Sequence, residues 1–220
     1  MPLMAASAKP LTPTSIMQGA WLSLEQCGHL LRDAVLLFQQ GRYASAVGLA
    51  MVARDELGKY KALLELWNRV RAGEPVTTAD VPRNHLERQK LAVMSATLMD
   101  GDDPERQRKF DALSAARSDD ERQRAIADLA DAEVRRADRE RAFYVDPTDA
   151  GWSRPVANFS RERAERVIVD ALNDYRVQHD PENRRLIYSG RRPGLHEALE
   201  AWTEKPPLPA PPEPQGAGLI

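Results

Sequence analysis

The sequence predicts an all-α fold: a helical bundle with an extra charged helical segment and a proline-rich carboxy-terminal tail. Two observations predict it. Apolar residues recur at helical spacing through several long stretches, and glycines, prolines and capping residues punctuate them. No long alternating strand pattern and no internal repeat interrupts this order. The 220 residues divide into a loose start (1–14), one helical domain (15–204, with a charged segment at 102–142) and a disordered tail (205–220). At 42% hydrophobic and 29% charged, the chain can bury a core and still present a polar surface. No run of 18 apolar residues exists, so no membrane helix is expected. The opening residues lack a basic stretch followed by a long apolar one, so no signal peptide is expected. The lone Cys27 excludes an intramolecular disulfide framework and a multi-cysteine zinc site. A reducing cytoplasm is the expected compartment. A net charge of -2 gives no global basic field toward nucleic acid.

The first helix is expected from Ser15, where Gln18 completes a capping-box pattern. Trp21, Leu24, Leu31, Val35 and Phe38 follow at helical spacing as far as Gly41. The second is expected from Tyr43 to about Arg71, stopping at Gly73 before Pro75. So short a linker makes the two an antiparallel hairpin. A third helix is expected after a cap at Asp80, with Pro82 in its first turn, running to Gly101. Between Asp102 and Arg141 more than half the residues are charged, with both signs mixed, which predicts a solvated, salt-bridged helix pair. Helix starts are expected at Asp103-Pro104 and at Ser118–Glu121. A short β-prone patch, "FYVD", and a loop through Pro155 come next. The last clear helix runs from a cap at Ser160 to Pro181, and "RLIYSG" and "LHEALEAW" are small elements packed on the bundle. The proline-rich tail is expected to be disordered or extended.

The second helix is interrupted by "DELGK", Asp55 to Lys59. On a helical wheel Glu56 falls on a stripe with Leu49, Val52, Tyr60 and Leu63. Lys59 lies within side-chain reach of Glu56. A mid-helix Gly58 costs ~1 kcal/mol against alanine, so it signals close approach by another backbone or a ligand. Either this is a surface ion pair or a half-buried Glu–Lys constellation with chemistry.

The run "LLRDAVLLFQQGRYASAVGLAMVARDELGKYKALL" resembles the amino-terminal hairpin of the AbiV abortive-infection proteins, members of the HEPN superfamily of helical domains. The family signature E-E-L-G-K stands here as Asp55-Glu56-Leu57-Gly58-Lys59. "NHLERQKL" (Asn84 to Leu91) and "RERAFYVD" (Arg139 to Asp146) are similar to two later family elements in the same order. The likeness covers Leu22 to Pro155. It implies a HEPN-type bundle, often a homodimer, in a phage-defence protein. It further implies a toxin acting on RNA or translation, with a phage protein as trigger. Superfamily members commonly act as metal-independent ribonucleases, so no metal and no cofactor is implied.

Metal-free RNA cleavage needs a group to activate the 2′-hydroxyl, one to protonate the leaving oxygen, and a cation on the phosphate. His85 is the first candidate, in the opening turn of the third helix between Arg83 and Arg88. Lys90 lies on the same helix's inward stripe. The catalytic set is therefore His85, Glu56, Lys59 and Lys90. Tyr144, Asp146 and Arg139 are possible additions from the later element. The superfamily's Arg-x(4–6)-His spacing is met only by Arg191 and His196, outside the recognisable region. The rival reading is a non-enzymatic module whose inward charges brace the bundle while its surface binds a partner protein.

Overall fold

The fold is that of a computed structural model, which describes residues 8–93, 108, 111–112, 115–129, 132–145, 147–148, 151–185 and 194–212. Its helices are α1 (Pro13–Gln39), α2 (Tyr43–Arg71), α3 (His85–Val93), α4 (Asp119–Leu129), α5 (Ala132–Phe143), α6 (Arg161–His179) and α7 (Leu195–Ala201). The chain is all-α, and among the described residues the only paired strands are Pro147–Thr148 with Gly151–Trp152, two residues each and antiparallel. No helix among the described residues is long and apolar enough to cross a membrane.

α1 and α2 form the expected hairpin. The turn works because Gly41 takes a left-handed φ of 73°. α1 begins three residues earlier than the sequence suggests. Thr12 caps it, and Ser15 answers as the third residue of the box, because Pro13 is already competent at the first helical position. Residues 9–11 lie in the stretch expected to be loose, and they are paired. The backbone around Lys9–Leu11 pairs with Val76–Thr78, through Leu11 N–H to Val76 O (2.8 Å) and Thr78 N–H to Lys9 O (2.9 Å). Asp80 does not cap α3. Its carboxylate turns back to accept from Thr77 N–H (2.9 Å) and Thr77 Oγ1 (3.0 Å), which holds it below the usual carboxylate range. The expected end of α3 at Gly101 and the helix start at Asp103-Pro104 lie outside the described residues.

α2 is the centre of the bundle and packs against α1, α3, α5 and α6. Its apolar stripe (Ala46, Val47, Ala50, Leu57, Leu64, Trp67) is buried, as the periodicity predicts. Two charged residues are buried among them. Arg54 reaches Asp174 of α6, Nη2 to Oδ2 at 2.6 Å, with the two side chains 1% and 0% exposed. The charged segment divides in two. The first turns of α4 are exposed as expected, whereas α5 docks on α2 with Arg135, Asp138 and Ala142 buried. Asp138 meets Arg163 of α6 at 2.5 Å, and the Phe143 ring fills the space over Gly48. A thin apolar stripe suffices for α5 because part of its inner face is neutralised by opposite charges.

The proline-rich segment is not free through Pro212. Trp21 Nε1 donates to Pro206 O (2.7 Å), Tyr175 Oη to Pro209 O (2.7 Å) and Arg176 Nη2 to Pro212 O (3.3 Å).

Two glycines separate propensity from packing. A Cβ at Gly58 would collide with the Arg88 carbonyl of α3, which is backbone and cannot swing aside. Gly58→Ala should therefore destabilise by about 1–3 kcal/mol in urea unfolding, the overpacking cost exceeding alanine's helical preference. A Cβ at Gly19 meets only Leu63 Cδ1, at an ordinary 3.5 Å. Gly19→Ala should stabilise by roughly 0.5–1 kcal/mol in the same assay.

Candidate functional site

The site is built on Asp55. It follows Met51 by one turn and precedes Gly58 by one, so it lies on a stripe facing α3. Gly58 lets the α3 backbone come in at Arg88. That approach carries His85 and Gln89, one turn apart on α3, over the carboxylate. His85 Nδ1 lies 2.7 Å from Asp55 Oδ2. Gln89 Nε2 donates to Asp55 Oδ1 (2.6 Å) and to Met51 O (3.0 Å), which fixes the amide's orientation. Arg139 of α5 brings Nε to 3.9 Å from Asp55 Oδ2. One buried carboxylate thus gathers groups from two neighbouring helices.

The geometry has a chemical consequence. The Asp55 side chain is 3% exposed, whereas that of His85 is 48% exposed. A carboxylate only accepts, so the pair is satisfied when Nδ1 carries the hydrogen. The Nε2 lone pair is then left to act as a base. This is the orienting logic of an acid–histidine dyad: the buried anion fixes ring and tautomer.

The other candidates from the sequence fall as follows. Glu56 and Lys59 pair with each other at 3.4 Å, at the edge of the bundle, with side chains 19% and 33% exposed. The Lys90 side chain lies outside the described residues, as do Asp146 and Arg191. Arg139 joins the Asp55 cluster. Tyr144 ends α5, its N–H on Glu140 O at 2.9 Å and its ring exposed. His196 lies half-buried in the first turn of α7. Arg88 turns its Nε back to Pro82 O (2.7 Å). Among the described residues no group of three or more metal-ligating side chains is assembled.

Sequence reasoning missed Asp55 as the inward acid, and missed Gln89, Arg54 and Asp174 altogether. The signal was present for Asp55. Met51, Asp55, Gly58 and Ala62 form a stripe of their own, buried throughout, beside the aliphatic stripes.

The tautomer can be checked directly. In imidazole ¹⁵N spectra recorded above the histidine titration, His85 should show the Nδ1–H form as the dominant species. Asp55→Ala should return it toward the free-histidine mixture and lower stability by about 1–3 kcal/mol, since His85 loses its partner and Gln89 one of its two acceptors. An unchanged His85 spectrum in that variant contradicts the dyad.

No curated protein and no solved structure matches the chain. A family model does, described as AbiV and of HEPN type, over residues 16–173. The match takes in α1 through most of α6 and therefore the whole Asp55 cluster. The chain belongs to the AbiV family of HEPN-type abortive-infection proteins, which act in phage defence.

Proposed function

We propose that the protein acts in abortive infection as a metal-independent endoribonuclease with His85 at its centre. The observation that carries this reading is the half-exposed His85 ring held by its Nδ1 on the buried Asp55 carboxylate. In the proposed step Nε2 takes the proton of a ribose 2′-hydroxyl. The oxygen attacks the adjacent phosphorus, the bond to the 5′ oxygen breaks, and the proton returns to that leaving oxygen. The products are a 2′,3′-cyclic phosphate and a 5′-hydroxyl end. Asp55 positions the ring and offsets its charge. Lys59 and Lys90 would neutralise the phosphate, with Glu56 orienting Lys59. Cytoplasmic RNA engaged in translation is the proposed substrate, a phage protein the trigger, and a homodimer the working form.

A second reading has its own observation. Phe143, Tyr144, Val145, Trp152 and Val156 are exposed within one short stretch, Trp152 at 73% and Val156 at 83%. Clustered exposed apolar side chains suit a protein partner. On that reading the protein blocks translation by binding, and the Asp55 cluster only holds α3.

Purified protein incubated with RNA in EDTA separates the two. The nuclease reading expects cyclic-phosphate ends and a rate that falls about 10²–10⁴-fold in His85→Ala while the helical melting curve is kept. Wild-type growth arrest by His85→Ala in infected cells, with RNA intact in both strains, gives the function to the binding surface instead.

A further inference from the structure

Three of the bonds between the bundle and the tail share a spacing. The accepting carbonyls belong to Pro206, Pro209 and Pro212, each three residues from the next. A polyproline-II helix has three residues per turn, so these carbonyls fall on one edge of it. The donors are side chains of the bundle: Trp21 on α1, with Tyr175 and Arg176 on α6. Proline has no N–H, so a carbonyl is its only main-chain hydrogen-bonding group, and these three side chains supply donors to match it.

The groove beneath is shaped for this ligand. Gly28 lies two turns beyond Trp21 on α1. A Cβ there would collide with the Tyr175 phenol and come within 3.1 Å of Pro209 Cβ. Glycine therefore creates the seat for both rings. Pro209 is buried, and Leu208 packs against the core. Trp202 stands edge-on to Trp21 with centroids 6.5 Å apart, and Lys205 turns the chain into the groove by donating to Leu199 O and Trp202 O. Tyr175, Arg176 and the tail all lie beyond residue 173, where the family match ends. Trp21 and Gly28 lie within the match, so the groove joins the matched domain to the residues that follow it.

We propose that the α1–α6 groove is a binding site for proline-rich polyproline-II segments, that residues 205–212 are its resident ligand, and that a partner protein carrying such a segment displaces them. The three hydrogen bonds read main-chain carbonyls at a spacing that proline's fixed φ holds, and the room over Gly28 takes a proline ring, so the groove selects proline and not a side chain peculiar to this tail. The tail follows α7 and can leave without unwinding a helix. The site is independent of the nuclease reading, because none of its residues belongs to the Asp55 cluster.

The test uses the full chain with Pro206, Pro209 and Pro212 all changed to glycine. A labelled peptide of residues 205–212 should bind it saturably, and at least tenfold more weakly to the wild-type chain, whose own tail competes. Adding Tyr175→Phe should weaken peptide binding about fivefold, the worth of one hydrogen bond. A peptide with glycine at the three positions should not bind. Equal binding of the glycine peptide, or no binding by a glycine-tail chain of wild-type helicity, overturns the proposal. Should that variant fail to fold, a dye on Ala210→Cys of the otherwise wild-type chain reports the tail, since Ala210 is exposed and Cys27 is buried with its thiol pushed up by burial. The dye should be held in the chain and released by millimolar unlabelled peptide. A dye that tumbles freely from the start, or stays held at saturating peptide, contradicts an exchangeable site.

Discussion

Arg54 and Asp55 are neighbours in sequence, both buried, and point away from each other. Successive residues on an α-helix differ in direction by about 100°, so each can serve a different neighbouring helix. Arg54 ties α2 to α6 through Asp174, and Asp55 ties α2 to α3 through His85 and Gln89. Burying a charge is tolerable only against an opposite charge or enough hydrogen bonds. Each residue therefore fixes which face of its neighbour meets α2. Apolar packing alone would allow sliding, because one aliphatic ridge fits a groove much as the next does. The two charges remove that freedom, and the position of α3 follows from theirs.

Gly58 completes the constraint. The carboxylate could attract α3, but a side chain at position 58 would hold the helix off at Arg88. With glycine the backbone closes in, and the first turn of α3 reaches Asp55 while the His85 ring stays open to solvent. A buried acid next to an open base needs such a helix crossing. The "DELGK" signature thus divides its work: Asp55 anchors, Leu57 packs, Gly58 admits α3, and Glu56 with Lys59 forms a pair at the rim.

The hairpin of α1 and α2, the length of α2 and the cap of α6 at Ser160 were legible in the sequence, because periodicity and local capping chemistry determine them. So was the use of Gly58, since a glycine that weakens a helix from within is kept where something must come close to it. The inward turn of Asp55 was missed. The wheel puts Glu56 on an aliphatic stripe, whereas the stripe of Met51, Asp55, Gly58 and Ala62 reads as interior only once α3 has landed on it. Buried Arg54 and Asp174 were illegible for a similar reason: 29% of the chain is charged, and only the tertiary pairing marks two of those residues as interior. Composition leaves the tail disordered or extended, and the hold of the bundle on Pro206, Pro209 and Pro212 was not legible in it. Composition measures how little a segment can bury by itself, and it is silent on side chains of α1 and α6 that donate to the segment's carbonyls.

The central claim is that Asp55 and His85 act as one unit. A double-mutant cycle measures that most directly, with Asp55→Asn, His85→Ala and the double variant compared for RNA cleavage and for growth arrest after infection. The account predicts non-additivity: once His85 is gone, replacing Asp55 costs nothing more, and the double variant matches His85→Ala alone. Two losses that multiply, with all four proteins equally folded, would contradict it and leave Asp55 as a brace for α3 and nothing else.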